Sequence, residues 1–126
     1  MSYKTPQTEV IYRSPSINFK NTGNTIIFTT GADKFAVIDS YIVCTSATAA
    51  SGDAVFNLGW TGPTYQDYVG AIPNPVNNAD TYLSFGELTG TESTLVPAST
   101  AFRIQIDSAD SGTALTGYVV IRGFTA

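Results

Sequence analysis

β-Branched side chains dominate this sequence. Val, Ile and Thr together number 37 of the 126 residues, against 18 for Leu, Glu, Lys, Arg, Gln and Met combined. Branching at Cβ removes rotamers on a helix and packs well on a pleated surface, so this ratio points to sheet. Hydrophobic residues make up 43% of the chain, too many for a disordered segment, and the length suits one domain. No repeat of fixed period is present, and no run of ten or more residues has helical periodicity.

Period-two alternation marks the strands. Ser16–Lys20 alternates, 21–24 turns, and Thr25–Thr30 returns, which predicts a hairpin. Phe35–Ser46 is the longest candidate. One face carries Ala36, Ile38, Ser40, Ile42 and Cys44 and reads as core. The other carries Phe35, Val37, Asp39, Tyr41 and Val43, and is too apolar for an ordinary solvated face. Asp53–Trp60 alternates again and is expected to pair with it as a long hairpin. Residues 61–80 break the rhythm with Gly, Pro and Asn, as a long functional loop would. Thr81–Leu88, Ala101–Asp107 and Ala114–Phe124 complete eight or nine strands.

The spacing predicts an all-β fold, an antiparallel β-sandwich of jelly-roll type with under about a tenth helix. The expected inward residues are Ile38, Ile42, Cys44, Phe56, Leu58, Leu83, Phe85, Phe102, Ile104, Ile106, Val119 and Ile121. Pro6 and Pro15 bracket Glu9–Arg13, and proline withholds a ladder donor. Residues 1–16 are therefore read as an extended N-terminal arm or edge strand, and 17–126 as the sandwich. Val10, Ile11 and Tyr12 are expected to add a strand to a neighbouring chain, with little contribution to the monomer.

Charge and sulfur exclude several functions. The net charge is −4, and the six basic residues are scattered, so no clustered basic surface exists for nucleic acid or for an anionic membrane. No unbroken apolar run exceeds four residues, far short of the roughly 20 needed for a spanning helix. The opening residues lack a signal peptide's apolar core, so synthesis in a host cytoplasm is expected. Cys44 is the sole cysteine and reads as a small core residue.

The chain has no histidine, which removes Ser-His-Asp and Cys-His nucleophiles, imidazole bases and His-rich zinc sites. No phosphate loop or dinucleotide fingerprint occurs. The remaining carboxylate pairs, Asp107 with Asp110 and Glu87 with Glu92, lie in polar turns, where solvated acids are the ordinary explanation. Asp107–Gly112 falls far short of a calcium loop. No catalytic residue, cofactor or metal ligand is therefore assigned, and no enzymatic activity is expected.

Two features point to assembly. Thr, Ser and Asn total 36 against 16 charged residues, and short polar side chains lose little entropy when buried at an interface. Tyr41, Trp60, Tyr65 and Tyr68 are candidate interface aromatics, with packing of the 61–80 loop on its own domain as the plainer reading. A glycan platform on Trp60, Tyr65 and Tyr68 is the lesser alternative.

The C-terminal third carries a likeness. Leu95-Val-Pro-Ala-Ser-Thr100 leads into Phe102-Arg-Ile-Gln-Ile106, a small-residue turn and Gly117-Tyr-Val-Val-Ile-Arg-Gly-Phe124. This cadence resembles the last hairpin of small tailed-bacteriophage virion proteins, particularly capsid decoration (cement) proteins. The resemblance implies a non-enzymatic structural protein of the virion, released by lysis. It implies dimers or trimers of the chain seated on a major capsid or other virion protein. A phage tail, neck or receptor-binding module is the alternative.

Overall fold

The computed structural model describes residues 9–74, 82–84 and 94–126. Ten strands run in the order β1 (Val10–Arg13), β2 (Ile17–Asn18), β3 (Gly23–Thr29), β4 (Phe35–Thr48), β5 (Ala54–Gly59), β6 (Val69–Asn74), β7 (Tyr82–Ser84), β8 (Leu95–Val96), β9 (Ala101–Ser108) and β10 (Ala114–Thr125). No helix among the described residues is long and apolar enough to cross a membrane. Phe85, Glu87 and Glu92, and the side chain of Leu83, lie outside the described residues.

Two antiparallel sheets form the sandwich. The first has the order β1-β10-β4-β7, with β2 also on β10 and β8 also on β4; the second has the order β3-β9-β5-β6. The pairings are nested: β5 with β6, β4 with β7 and β8, β3 with β9, and β1 and β2 with β10. The chain is thus one long hairpin with its tip at residues 60–68, wrapped so that successive nested pairings alternate between sheets. That is the jelly roll expected from the strand spacing.

The wrapping overturns three local expectations. The segments before and after residues 21–24 lie in different sheets, as do β4 and β5, and β9 and β10. Each had been expected to form a hairpin, because a turn between alternating segments permits one. Pairing here is instead decided by burial of the two inner faces across the whole chain.

The inner faces meet in a core that includes Ile42, Cys44, Phe56, Leu58, Phe102, Ile104, Ile106, Val119 and Ile121, as expected. Phe19, Ile17, Val69, Val96 and Leu115 join them. Ile38 does not: it is 53% exposed. Val37 pairs with Gly123 and Asp39 with Arg122, so Ile38 is the extra residue of a β-bulge. The bulge reverses the alternation, which puts Phe35 and Val37 inward before it and Ser40, Ile42 and Cys44 inward after it.

β1 belongs to its own molecule's sheet. Val10–Arg13 pairs with Gly123–Val120 on β10. Tyr12 stacks on Phe28 at 4.2 Å and meets the edge of Phe35 at 5.2 Å, while Phe28 stacks on Phe102 at 5.2 Å. Val10, Ile11 and Tyr12 thus form a strand of this chain's own sheet, where they had been expected to add one to a neighbouring chain. Pro15 interrupts the strand, and Ser14 bridges the gap: its amide donates to the Val119 carbonyl at 2.9 Å and its Oγ accepts from the Val119 amide at 2.9 Å.

Candidate functional site

The outer face of the first sheet collects apolar residues that the core does not use. On β10, Leu115, Gly117, Val119, Ile121 and Gly123 are buried inward, so Tyr118, Val120, Arg122 and Phe124 face outward. Register places Val120 beside Tyr41 and Arg13, Tyr118 beside Val43, and Phe124 beside Ala36. The bulge adds Ile38. Ile11, paired with Arg122, is 62% exposed, and Leu95, paired with Ala36, is 41% exposed.

Charged groups cross this face between Ile11 and Ile38. The Arg122 Nε donates to Glu9 at 2.6 Å and its Nη1 to Asp39 at 3.2 Å. The Glu9 hydrogen bond, with its charge, holds the Arg122 guanidinium above its ordinary pKa. The Arg13 guanidinium lies 3.7 Å from the centre of the Tyr118 ring, a cation–π contact on the exposed side. Val120 is buried although it points away from the core.

The interface candidates separate into groups. Ile11 and Tyr41 are on the outer face of the first sheet. Val10 and Tyr12 pack against the core. Trp60 packs against it too, with its ring 6.0 Å from Phe102. Tyr68 is 2% exposed and offers no surface to a partner; its ring lies 5.7 Å from Phe102. Its phenol is 2.6 Å from the Ser40 hydroxyl, and burial raises its pKa. Tyr65 alone of the loop aromatics stands at the surface, half-buried.

Asp67 clips the loop that carries Tyr65. Its Oδ2 accepts from the Trp60 amide at 2.6 Å and the Thr61 amide at 2.7 Å, and its Oδ1 accepts from the Thr61 hydroxyl at 2.6 Å. Burial pushes the carboxyl's pKa up, but these hydrogen bonds to the charged form outweigh it and leave the group below its ordinary value.

The acids of the 107–112 turn serve the backbone. Asp110, 1% exposed, accepts from the amides of Ser51, Gly52 and Gly112 at 3.1, 2.7 and 2.9 Å. Asp107 accepts from the Asn57 side chain at 2.9 Å. Asp53 accepts from the Ser111 hydroxyl and amide, which lowers its pKa. The two loops are knitted together by these bonds, and no group of three or more potential metal ligands occurs among the described residues.

Sequence reasoning missed Ile38, Leu95, Val120 and Phe124 as outer-face residues. The available signal was the second apolar face of the longest strand, where Tyr41 and Val43 lie. The bulge that adds Ile38 to it leaves no mark in a period-two pattern.

No protein-family model and no curated protein sequence matches the chain. Its fold is similar to solved phage structures. A chain of the cyanophage Pam1 capsid asymmetric unit superposes with a TM-score of 0.58 at 12% identity, covering 100% of this chain and 91% of that one. A chain of the acid-stable capsid of Helicobacter pylori bacteriophage KHP30 gives a TM-score of 0.63 at 10% identity, covering 94% of this chain and 90% of that one. At such identities the likeness is one of fold.

Proposed function

We propose that this chain is a non-enzymatic structural protein of a phage virion, of the decoration (cement) type. It lays the outer face of its first sheet against other virion chains, either further copies of itself in a dimer or trimer or a major capsid protein. The observation that carries this reading is the clustering of exposed apolar side chains. Of the four large hydrophobics exposed among the described residues, Ile11, Ile38 and Leu95 lie on that one face. They stand beside Phe124 at one end of the face, with Tyr41 and then Val43 and Tyr118 further along it. Single exposed hydrophobics are ordinary, but several on one face, gathered about the Arg122 ion pairs, are what an interface presents.

The sandwich supports the role mechanically. Nested long-range pairings place both chain halves in every layer, so a partner bound on β10 and β4 holds the centre of the first sheet. The fold shared with chains from two phage capsids agrees with this reading, as does a surface rich in Thr, Ser and Asn. The test is saturable co-sedimentation of the purified chain with capsids of the parent phage stripped of it. Retention in the supernatant at all concentrations would overturn the proposal.

A further inference from the structure

One large exposed hydrophobic does not belong to the outer face of the first sheet. Ile26, 42% exposed, is on β3, an edge strand of the second sheet. β3 pairs with β9 on one side and with no described strand on the other. An edge strand aims the N–H and C=O of every second residue away from its sheet, a ready template for another strand. The other edge strands carry the usual guards of charge, proline or shortness. β1 contains Arg13 and lies between Glu9 and Pro15, β6 contains Pro73, β7 has three residues, and β2 and β8 have two each. Gly23–Thr29 contains no charged residue and no proline.

The open part of β3 is flat. Register sets Gly23 beside Ile106 and Thr25 beside Ile104, both core residues, so Thr25 turns inward and Asn24 and Ile26 turn outward. Ile27 is the extra residue of a bulge, which ends the flat stretch at Ile26. Beyond the bulge, the Phe28 ring is stacked against Tyr12 of β1. Ahead of it the two sheets part. A slot of about 170 Å³ lies between Ile17–Asn18 on β2 and residues 22–25, with Ile106 in its lining. The edge from Gly23 to Ile26 is thus open where the rest of β3 is screened.

We propose that a second copy of the chain occupies this edge, with β3 running antiparallel to β3 about a two-fold axis at Thr25. That register sets Thr25 opposite Thr25 and Asn24 opposite Ile26. It keeps the outer faces of both sheets on one side and uses only the flat stretch ahead of the bulge. The two Ile26 side chains are then diagonal neighbours, within reach of each other across the junction. Self-pairing suits this strand because it sets no like charges opposite one another, which matters for a chain of net charge −4. The two four-stranded sheets join into one continuous sheet. A two-fold pairing of this kind consumes both edges, so assembly along it stops at the dimer. The edge is separate from the outer face of the first sheet and does not depend on its role.

The test is sedimentation equilibrium of the intact chain over a range of concentrations, at about 0.15 M salt, where charge repulsion is screened beyond about 8 Å. A reversible monomer–dimer equilibrium is expected. Ile26→Lys brings two like charges together at the junction and is expected to weaken the dimer about tenfold or more. Its melting temperature when dilute is expected to match the parent's, since Ile26 is exposed. Thr25→Cys is expected to give a disulfide-linked dimer on mild oxidation, because residues directly opposite in an antiparallel pair lie within disulfide reach. The parent, whose only cysteine is the buried Cys44, is expected to stay unlinked. The proposal is overturned if the parent is monomeric at every concentration, if Thr25→Cys does not cross-link, or if Ile26→Lys dimerises as the parent does. It is equally overturned if Ile11→Ser with Ile38→Ser abolishes the dimer while Ile26→Lys keeps it, for the contact would then be the outer face of the first sheet.

Discussion

The Ser40 hydroxyl and the Tyr68 phenol lie 2.6 Å apart in the interior, Ser40 from the first sheet and Tyr68 from the loop leading into the second. Ser40 is 0% exposed and Tyr68 2% exposed, so water reaches neither group. Removing one partner strands the other. Tyr68→Phe is expected to destabilise the fold by about 1–3 kcal/mol, the cost of an unpaired buried hydroxyl. Ser40→Ala combined with Tyr68→Phe is expected to cost less than the two single changes added. Chemical denaturation of the four proteins in a double-mutant cycle measures that coupling; strict additivity would contradict it.

Asp67 makes the tip loop sensitive to acid. Its folded pKa lies below the ordinary 3.8, because three hydrogen bonds favour the charged form over the penalty of burial. The stabilisation is therefore fully present above the ordinary value and is lost as pH falls through the folded one. Asp67→Asn is expected to destabilise the protein at neutral pH, and the gap to the parent is expected to narrow below about pH 4. Thermal melts of both proteins across that range check the sign. A gap that widens in acid would refute it.

Gly123 sits opposite the bulge at Ile38. A Cβ there would lie 2.0 Å from the Ala36 carbonyl oxygen and 2.8 Å from the Phe35 ring. Backbone cannot yield as a flexible side chain can, so Gly123→Ala is expected to cost about 1–3 kcal/mol, as overpacking does. Gly31 has nothing within 4 Å, and Gly31→Ala serves as the control. Equal melting temperatures for the two variants would be inconsistent with this packing.

Tyr12 ties the N-terminal strand to the core through Phe28. Removing residues 2–14 takes away β1 and uncovers that ring, so the truncated chain is expected to melt well below the parent. Tyr12→Ala alone is expected to cost about 2 kcal/mol, since the ring is partly exposed. A truncated chain as stable as the parent would return residues 1–16 to the role of a separate arm.

Much of the fold is legible in the sequence because period-two alternation reports faces directly. Phe102, Ile104 and Ile106 on β9, and Phe56 and Leu58 on β5, fall inward as their spacing requires. Alternation carries no information about which strand lies beside which. Residues 21–24 look like a hairpin turn, yet β2 pairs with β10 and β3 with β9. Ile38 reads as inward for a related reason, since the inserted residue of the bulge changes phase without changing composition. In sequence Tyr68 reads as a surface loop aromatic, but the loop folds back, with the Tyr68 amide on the Leu58 carbonyl at 3.0 Å. Asp110 looked like a solvated turn acid, and only the approach of residues 51–53 shows why it is buried.

The central claim is that the outer face of the first sheet is the virion contact. Ile11→Ser with Ile38→Ser tests it most directly, because both side chains are exposed and outside the core. Aromatic and aliphatic anchors at an interface carry about 2 kcal/mol or more each. The measurement is occupancy of stripped capsids by parent and double variant in sedimentation, alongside each free protein's melting temperature. The account predicts sharply reduced occupancy with a melting temperature close to the parent's. Equal occupancy of the two proteins would contradict it.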